Sequence, residues 1–374
     1  MKKNFSLYLL IPVIFSYGYL QARTQTTLDY QNRIHPEISS NFMVVSQNEH
    51  ATEAGYEVLR SGGNAVDAAV AVGFALAVTL PRAGNLGGGG FVLIYDKNKD
   101  KVSSIDYRSA APKSATSDLF LKDGDVVRFG HLVNAVPGSV AGLLKAHEDF
   151  GSLPLSDLLK PAIRLARDGF EVTYDLNFVL DWAKESMLVN PASRNKFYDS
   201  NEDPITVKST FKQPKLAKAL FMISKKGRDI FYKGEIANWI SEESLSNGGL
   251  ITLDDMASYE AKYRIPIETN YRGFKIVSMP PAASGGLVLL QTLNILENFN
   301  IKDSGHNSAQ TIHILSEAMQ RAYADRAQYH GDPDYYNVPV KALLDKTYSS
   351  DLSKKILANR TPNGEIFEGD LKKY

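Results

Sequence analysis

The stretch Ala83–Gly90, reading A-G-N-L-G-G-G-G, carries five glycines in its last seven positions and stands between an apolar helix-like run and a strand-like one. Glycine loses more backbone freedom on folding than any other residue, so so dense a run is kept where side chains would obstruct or where positive φ is needed. Another chain segment or a ligand must approach this backbone closely. The dinucleotide-binding fingerprint requires a strand before its glycines and a helix after them, so that phosphate meets a helix N-terminus. Here the order is helix, glycines, strand, the wrong polarity. Two readings remain: close packing against a neighbouring helix, or a backbone-lined substrate site.

Upstream, Asn64–Leu80 is apolar nearly all round and rich in small side chains, which predicts a helix buried on every side. It is short for a membrane span and contains Asp67. Before it, Thr52–Ser61 reads as a helix stopped by Gly62-Gly63, with Ala54, Val58 and Leu59 towards one face. Downstream, Phe91–Tyr95 and Lys101–Tyr107 flank the turn-like Asp96–Asp100 and predict a hairpin with Tyr95 opposite Lys101 and Phe91 opposite Ile105. That register brings Arg108 beside the glycines, near Gly88. A guanidinium there suits a bidentate grip on a carboxylate; a solvated or ion-paired surface arginine is the alternative.

Further along, helices are predicted over Ser139–Glu148 and Pro154–Asp168, with several amphipathic helices between Thr173 and Asn247. Thr252 followed by Asp255 resembles a helix start. Tyr271–Met279 reads as one strand, Pro280–Gly286 as a second glycine-containing loop, and Leu287–Leu296 and Ser308–Tyr329 as helices. Neither Ser284 nor Ser139 satisfies the G-x-S-x-G elbow, because Ala282 and Pro137 stand where it needs glycine. His313, Glu317, Arg321 and Asp325 recur every four residues and share one helix face. Their mixed signs predict an ion-pair ladder on the polar face, with Ile312, Leu315, Met319 and Ala322 buried behind it. No standard zinc spacing is met, so neither a metal nor another cofactor is expected.

The 374 residues hold 42 basic and 42 acidic side chains, a balance that favours neither nucleic acid nor an anionic membrane as partner. Lys2 and Lys3, the apolar Phe5–Leu20 and the small Ala22 predict a secretory signal over residues 1–22, and hence a periplasmic or secreted protein without a stable membrane span. With no cysteine, stability must come from a core and not from disulfides. The polar residues 359–374, with Pro362, Gly364 and Gly369, are expected to form a loose tail.

Eight motifs in order carry a resemblance: G-G-N-A-V-D-A-A-V-A-V at 62–72, A-G-N-L-G-G-G-G-F at 83–91, D-Y-R-S-A-A-P at 106–112, V-P-G-S-V-A-G at 136–142, L-I-T-L-D-D-M-A-S-Y at 250–259, Y-R-G-F-K-I at 271–276, M-P-P-A-A-S-G-G at 279–286 and A-M-Q-R-A-Y-A-D-R at 318–326. Together they resemble the γ-glutamyltransferases. The resemblance implies an α+β fold, the αββα sandwich of N-terminal-nucleophile hydrolases, made as one precursor that cuts itself into a large and a small subunit. It implies that residues 23–374 form the large-subunit portion, and that Arg108, in the D-x-R motif, binds the α-carboxylate of the glutamyl group. The nucleophile of that family is a threonine heading the small subunit, which attacks the γ-glutamyl amide of glutathione and passes the acyl group to water or to an amino acid or peptide acceptor. No T-T-H-like motif occurs here, and Thr361, followed by proline, is a poor substitute. No catalytic residue is therefore expected in this chain, and alone it should be inactive. A truncated, non-catalytic binding or scaffold protein derived from the large subunit is the alternative.

Overall fold

The computed structural model describes residues 37–122, 125–362 and 364–374, so the expected signal segment 1–22 lies outside the described residues. Val44–Tyr374 form one unit, built from local signals that the sequence states plainly. Helix α1 (Glu49–Arg60) starts at Asn48, whose side chain accepts the Ala51 N–H. Helix α2 (Ala65–Thr79) starts in a capping box, in which Asn64 accepts the Asp67 N–H while Asp67 accepts the Asn64 N–H. As predicted, α2 is buried nearly all round, with Phe74, Ala75 and Val78 inaccessible, and it packs against α1, α3 (Ser139–Phe150) and α4 (Leu155–Asp168).

Asp67 does more than cap its helix. Its fully buried carboxylate also accepts the Ser152 hydroxyl at 2.5 Å and the backbone N–H groups of Ser152 and Leu153, which ties α2 to the α3–α4 connection. Burial pushes its pKa up, but these hydrogen bonds outweigh burial and the net shift is downward from 3.8. The stability it contributes is thus complete above about pH 4 and lost as pH falls through the folded-state value. Asp67→Asn should lower the urea midpoint at neutral pH, and the gap from wild type should narrow on acidification. A gap that stayed constant into the acid range would contradict this assignment.

The predicted hairpin forms from β1 (Gly90–Asp96) and β2 (Lys101–Tyr107), but its register differs by one residue: Tyr95 pairs with Val102, Phe91 with Asp106 and Gly90 with Tyr107. The turn is shorter than expected. Asp96 joins the ladder opposite Lys101 and accepts the Asn98 N–H, and Asp100 takes a positive φ of 44°, so four residues reverse the chain. Strand β3 (Lys262–Arg264) joins the free edge of β2, pairing Ser104 with Arg264 and Asp106 with Lys262. The first core gathers α1–α4, this sheet, α5 (Pro214–Tyr232), α6 (Glu235–Ser246) and α7 (Leu253–Ser258), the last opened by a capping box of Thr252 and Asp255.

A second core follows, around β4 (Ile267–Tyr271), β5 (Phe274–Ser278), α8 (Ser284–Leu296), α9 (Ala309–Tyr329) and α10 (Lys346–Ser353). The single strand expected over Tyr271–Met279 is instead the second half of a hairpin. Arg272 and Gly273 take φ of 50° and 87°, the two consecutive positive values of a two-residue hairpin turn, so Tyr271 ends one strand and Phe274 begins the next.

Helix α9 reverses the expected orientation. Glu317, Arg321 and Asp325 are buried, whereas Ile312, Leu315 and Met319 are exposed; of the four residues expected inside, only Ala322 is. The charged row is buried because other segments supply partners. Glu317 accepts from Arg321 Nη1 at 2.6 Å, from the Thr361 N–H at 2.9 Å and from the Thr361 hydroxyl at 2.7 Å. Arg321 also donates to the Lys355 carbonyl, and Asp325 accepts the Gly369 N–H, the Tyr348 hydroxyl and the Gln291 amide. Residues of the tail that was expected to be loose thus lie against α9. Its two anchors are eight residues apart, as are Glu317 and Asp325; eight helical residues rise only about 12 Å, less than half the reach of eight extended ones. Phe367, between the two anchors, is exposed.

Candidate substrate site

Arg108 leaves the end of β2 with its backbone held on three sides. Its N–H donates to Asp106 Oδ1 at 3.0 Å, its carbonyl accepts the Tyr259 hydroxyl at 2.8 Å, and Gly89 lies against the Tyr107–Ser109 backbone so closely that a Cβ there would stand 2.4 Å from the Ser109 nitrogen. None of the five glycines has a positive φ. The run exists for close approach, the first of the two readings, and Arg108 sits beside Gly89, one residue from the expected position because of the hairpin register.

The loop is locked from its other side as well. The Gly88 carbonyl accepts the N–H groups of Gly138 and Ser139 at 2.7 and 3.0 Å, so it sits on the first turn of α3. Ala110 and Val136 exchange backbone hydrogen bonds, and Tyr232 donates its hydroxyl to the Pro137 carbonyl while accepting the Ala141 N–H. Tyr259 stacks on Tyr232 with ring centroids 5.7 Å apart. Burial raises the pKa of Tyr232 and of Tyr259, so both hydroxyls remain hydrogen-bond donors at neutral pH. Four separate sequence motifs, at 83–91, 106–112, 136–142 and 250–259, therefore meet at one point.

At that point opens a cleft of about 660 Å³, lined among others by Asp106, Arg108, Lys113, Tyr259, Arg264 and Asp334. Arg108 is exposed in it, and among the described residues its guanidinium makes no hydrogen bond or ion pair. Its neighbours are engaged. Lys113 pairs with Asp254, and Arg264 donates from Nε to Asp106 Oδ2 at 3.1 Å and from both terminal nitrogens to Asp334 at 2.6 and 2.9 Å. Hydrogen bonds from Arg264 and then Lys262 hold the Asp334 carboxyl well below the usual carboxylate range. A cation left unpaired on a rigid backbone, in a cleft whose other basic side chains Lys113, Lys262 and Arg264 are paired, is suited to binding an anionic group that arrives from outside.

Sequence reasoning located Arg108 and did not single out Arg264, Tyr259 or Asp334. Nothing in local pattern links Asp106 to residues 158 and 228 positions later. Among the described residues no group of three or more His, Asp or Glu side chains is placed to hold a metal ion, and no helix is long and apolar enough to cross a membrane. His313 Nε2 donates to the Leu357 carbonyl at 2.8 Å and stands apart from the cleft residues. Ser284 opens helix α8, and the loop before it contributes Ala282 to the cleft wall.

The sequence model of the gamma-glutamyltranspeptidase family matches residues 51–374. The glutathione hydrolase proenzyme of Escherichia coli strain K12 is 45% identical over 346 residues, covering 91% of this chain and 60% of that protein. An acylase ACY 1 proenzyme of Pseudomonas sp. strain SE83 is 36% identical over 335 residues, again covering 60% of the relative. The crystal structure of Helicobacter pylori gamma-glutamyltranspeptidase superposes with a TM-score of 0.87 at 40% identity, covering 90% of this chain and 97% of that one. The chain thus spans about three fifths of the length of these curated relatives, and the α+β class expected from the motifs is the fold observed. On the extent of these matches, the chain belongs to the gamma-glutamyltranspeptidase family.

Proposed function

We propose that this chain is the large subunit of an exported γ-glutamyltransferase, which hydrolyses or transfers the γ-glutamyl group of glutathione and related compounds through an acyl-enzyme on a threonine of the small subunit. In this reading the small subunit comes from the same precursor, the acceptor is water, an amino acid or a peptide, and the large subunit alone is inactive. The observation that carries it is the exposed Arg108 guanidinium on an immobilised backbone. A glutamyl α-carboxylate matches its fork, and the γ-amide, several bonds away, is thereby aimed at a nucleophile from outside this chain. The exposed row of Ile312, Leu315 and Met319 on α9 supports a second chain packing against this one.

The test is Arg108→Ala in the assembled two-subunit enzyme with a γ-glutamyl anilide as substrate. Losing a hydrogen-bonded charge contact of roughly 1.5–3 kcal/mol should raise KM about ten- to hundredfold, with kcat altered less. Arg108→Lys should recover only part, because a point charge lacks the bidentate fork. Unchanged KM and kcat in both variants would remove Arg108 from the site. γ-Glutamyl hydrolysis by this chain purified alone would overturn the assignment of the nucleophile to a second subunit.

A further inference from the structure

Arg108 and Asp106 stand two residues apart at the end of β2 and line the same cleft. An arginine this close to a carboxylate would ordinarily pair with it, which would neutralise the cation. In the structure the Asp106 carboxylate is engaged by other donors. One oxygen of Asp106 accepts the Arg108 N–H, and the other is taken by Arg264 Nε. Arg264 is itself fixed, since Asp334 holds both its terminal nitrogens, Lys262 donates to Asp334 at 2.6 Å, and Ser104 donates its hydroxyl to the Arg264 carbonyl at 2.7 Å. Asp106 is 7% exposed and the Arg264 side chain 17%, so this pairing is shielded from water while Arg108 is not.

We infer that Arg264, braced by Asp334, is a positioning residue for substrate binding: it keeps the Asp106 carboxylate occupied, so that the Arg108 guanidinium stays free for a carboxylate of the substrate. The inference rests on the reading of Arg108 given above. Without Arg264, Asp106 would be a buried carboxylate lacking its charge partner, and Arg108, two residues on and lining the same cleft, is an uncommitted cation. The clamp would then close on its own chain and compete with substrate.

The experiment measures KM and kcat for a γ-glutamyl anilide in the assembled enzyme. Arg264→Ala is expected to raise KM about tenfold while kcat changes less, the size of one lost charge-assisted contact. The distinguishing variant adds Asp106→Asn to Arg264→Ala. A neutral amide does not hold a guanidinium as a carboxylate does, so the double variant should recover most of the KM lost, although it removes a further native charge. A purely structural role for Arg264 predicts no such recovery. Asp334→Asn, which loosens the brace without emptying it, should raise KM in the same direction by a smaller factor, relieved again by Asp106→Asn; it serves if Arg264→Ala does not fold. A wild-type KM in Arg264→Ala or Asp334→Asn, while Arg108→Ala raises it, would overturn the inference alone. So would a double variant no better than its parent. Unchanged KM in Arg108→Ala would overturn both this inference and the reading beneath it.

Discussion

Glu317→Ala is expected to destabilise the protein by about 3–5 kcal/mol, because it leaves the buried Arg321 guanidinium without its carboxylate. The Arg321 side chain is 6% exposed and that of Glu317 1%, so water does not replace the lost partner. The same substitution removes the acceptors of both Thr361 donors, its N–H and its hydroxyl, so the tail should detach at its first anchor. Burial works to raise the Glu317 pKa, yet the Thr361 hydroxyl and Arg321 bring it below 4.5, which keeps the pair charged at neutral pH. Urea unfolding should show a markedly lower midpoint, and limited proteolysis should cut between Thr361 and Gly369 faster than in wild type. Glu317→Gln, which keeps one acceptor oxygen for Thr361 but not the charge, should fall between wild type and Glu317→Ala. An unchanged midpoint together with unchanged protease resistance would mean that the network holds nothing.

Gly89→Ala should be the most damaging single-methyl change in the glycine run. The added Cβ would stand 2.4 Å from the Ser109 nitrogen, 2.7 Å from the Tyr107 oxygen and 2.9 Å from the Arg108 carbonyl carbon, all backbone atoms that no rotamer change can move. Overpacking of this kind costs about 1–3 kcal/mol, and here relief must come from shifting the segment that carries Arg108. A raised KM should therefore accompany the lower unfolding midpoint. Gly87→Ala is the matched control: its Cβ would meet only the Asn85 Oδ1, at 3.4 Å, and its effect should stay within about 0.5 kcal/mol. Equal effects of the two substitutions would show that backbone approach at Gly89 is not what the run preserves.

Much of this molecule was legible in the chain. The nearly all-apolar Asn64–Leu80 run reads as a buried helix, Thr252 with Asp255 marks a helix start, and the Asp96–Asp100 cluster marks the hairpin turn. The glycines announced a close approach, and Arg108 was placed beside them before any contact was known. The expectation for α9 failed for a reason that lies outside local pattern. Period-four spacing states that Glu317, Arg321 and Asp325 share a face, and it is silent on whether that face meets solvent or the chain. The outcome depended on Thr361, Gly369, Tyr348 and Gln291, which bring partners from other segments and turn a polar face into a buried one.

The sequence by itself thus determined most of the helices, the Thr252–Asp255 cap, the β1–β2 hairpin, the family and the cation of the candidate site, because each is written in neighbouring residues or in motifs of fixed spacing. Only the tertiary structure decided which face of α9 is inside, one residue of register in the β1–β2 hairpin, and the pairing that leaves Arg108 free. Arg264 reaches Asp106 across 158 residues of chain and Asp334 reaches Arg264 across 70, and whether a charge so placed is paired or available is a property of the assembled fold.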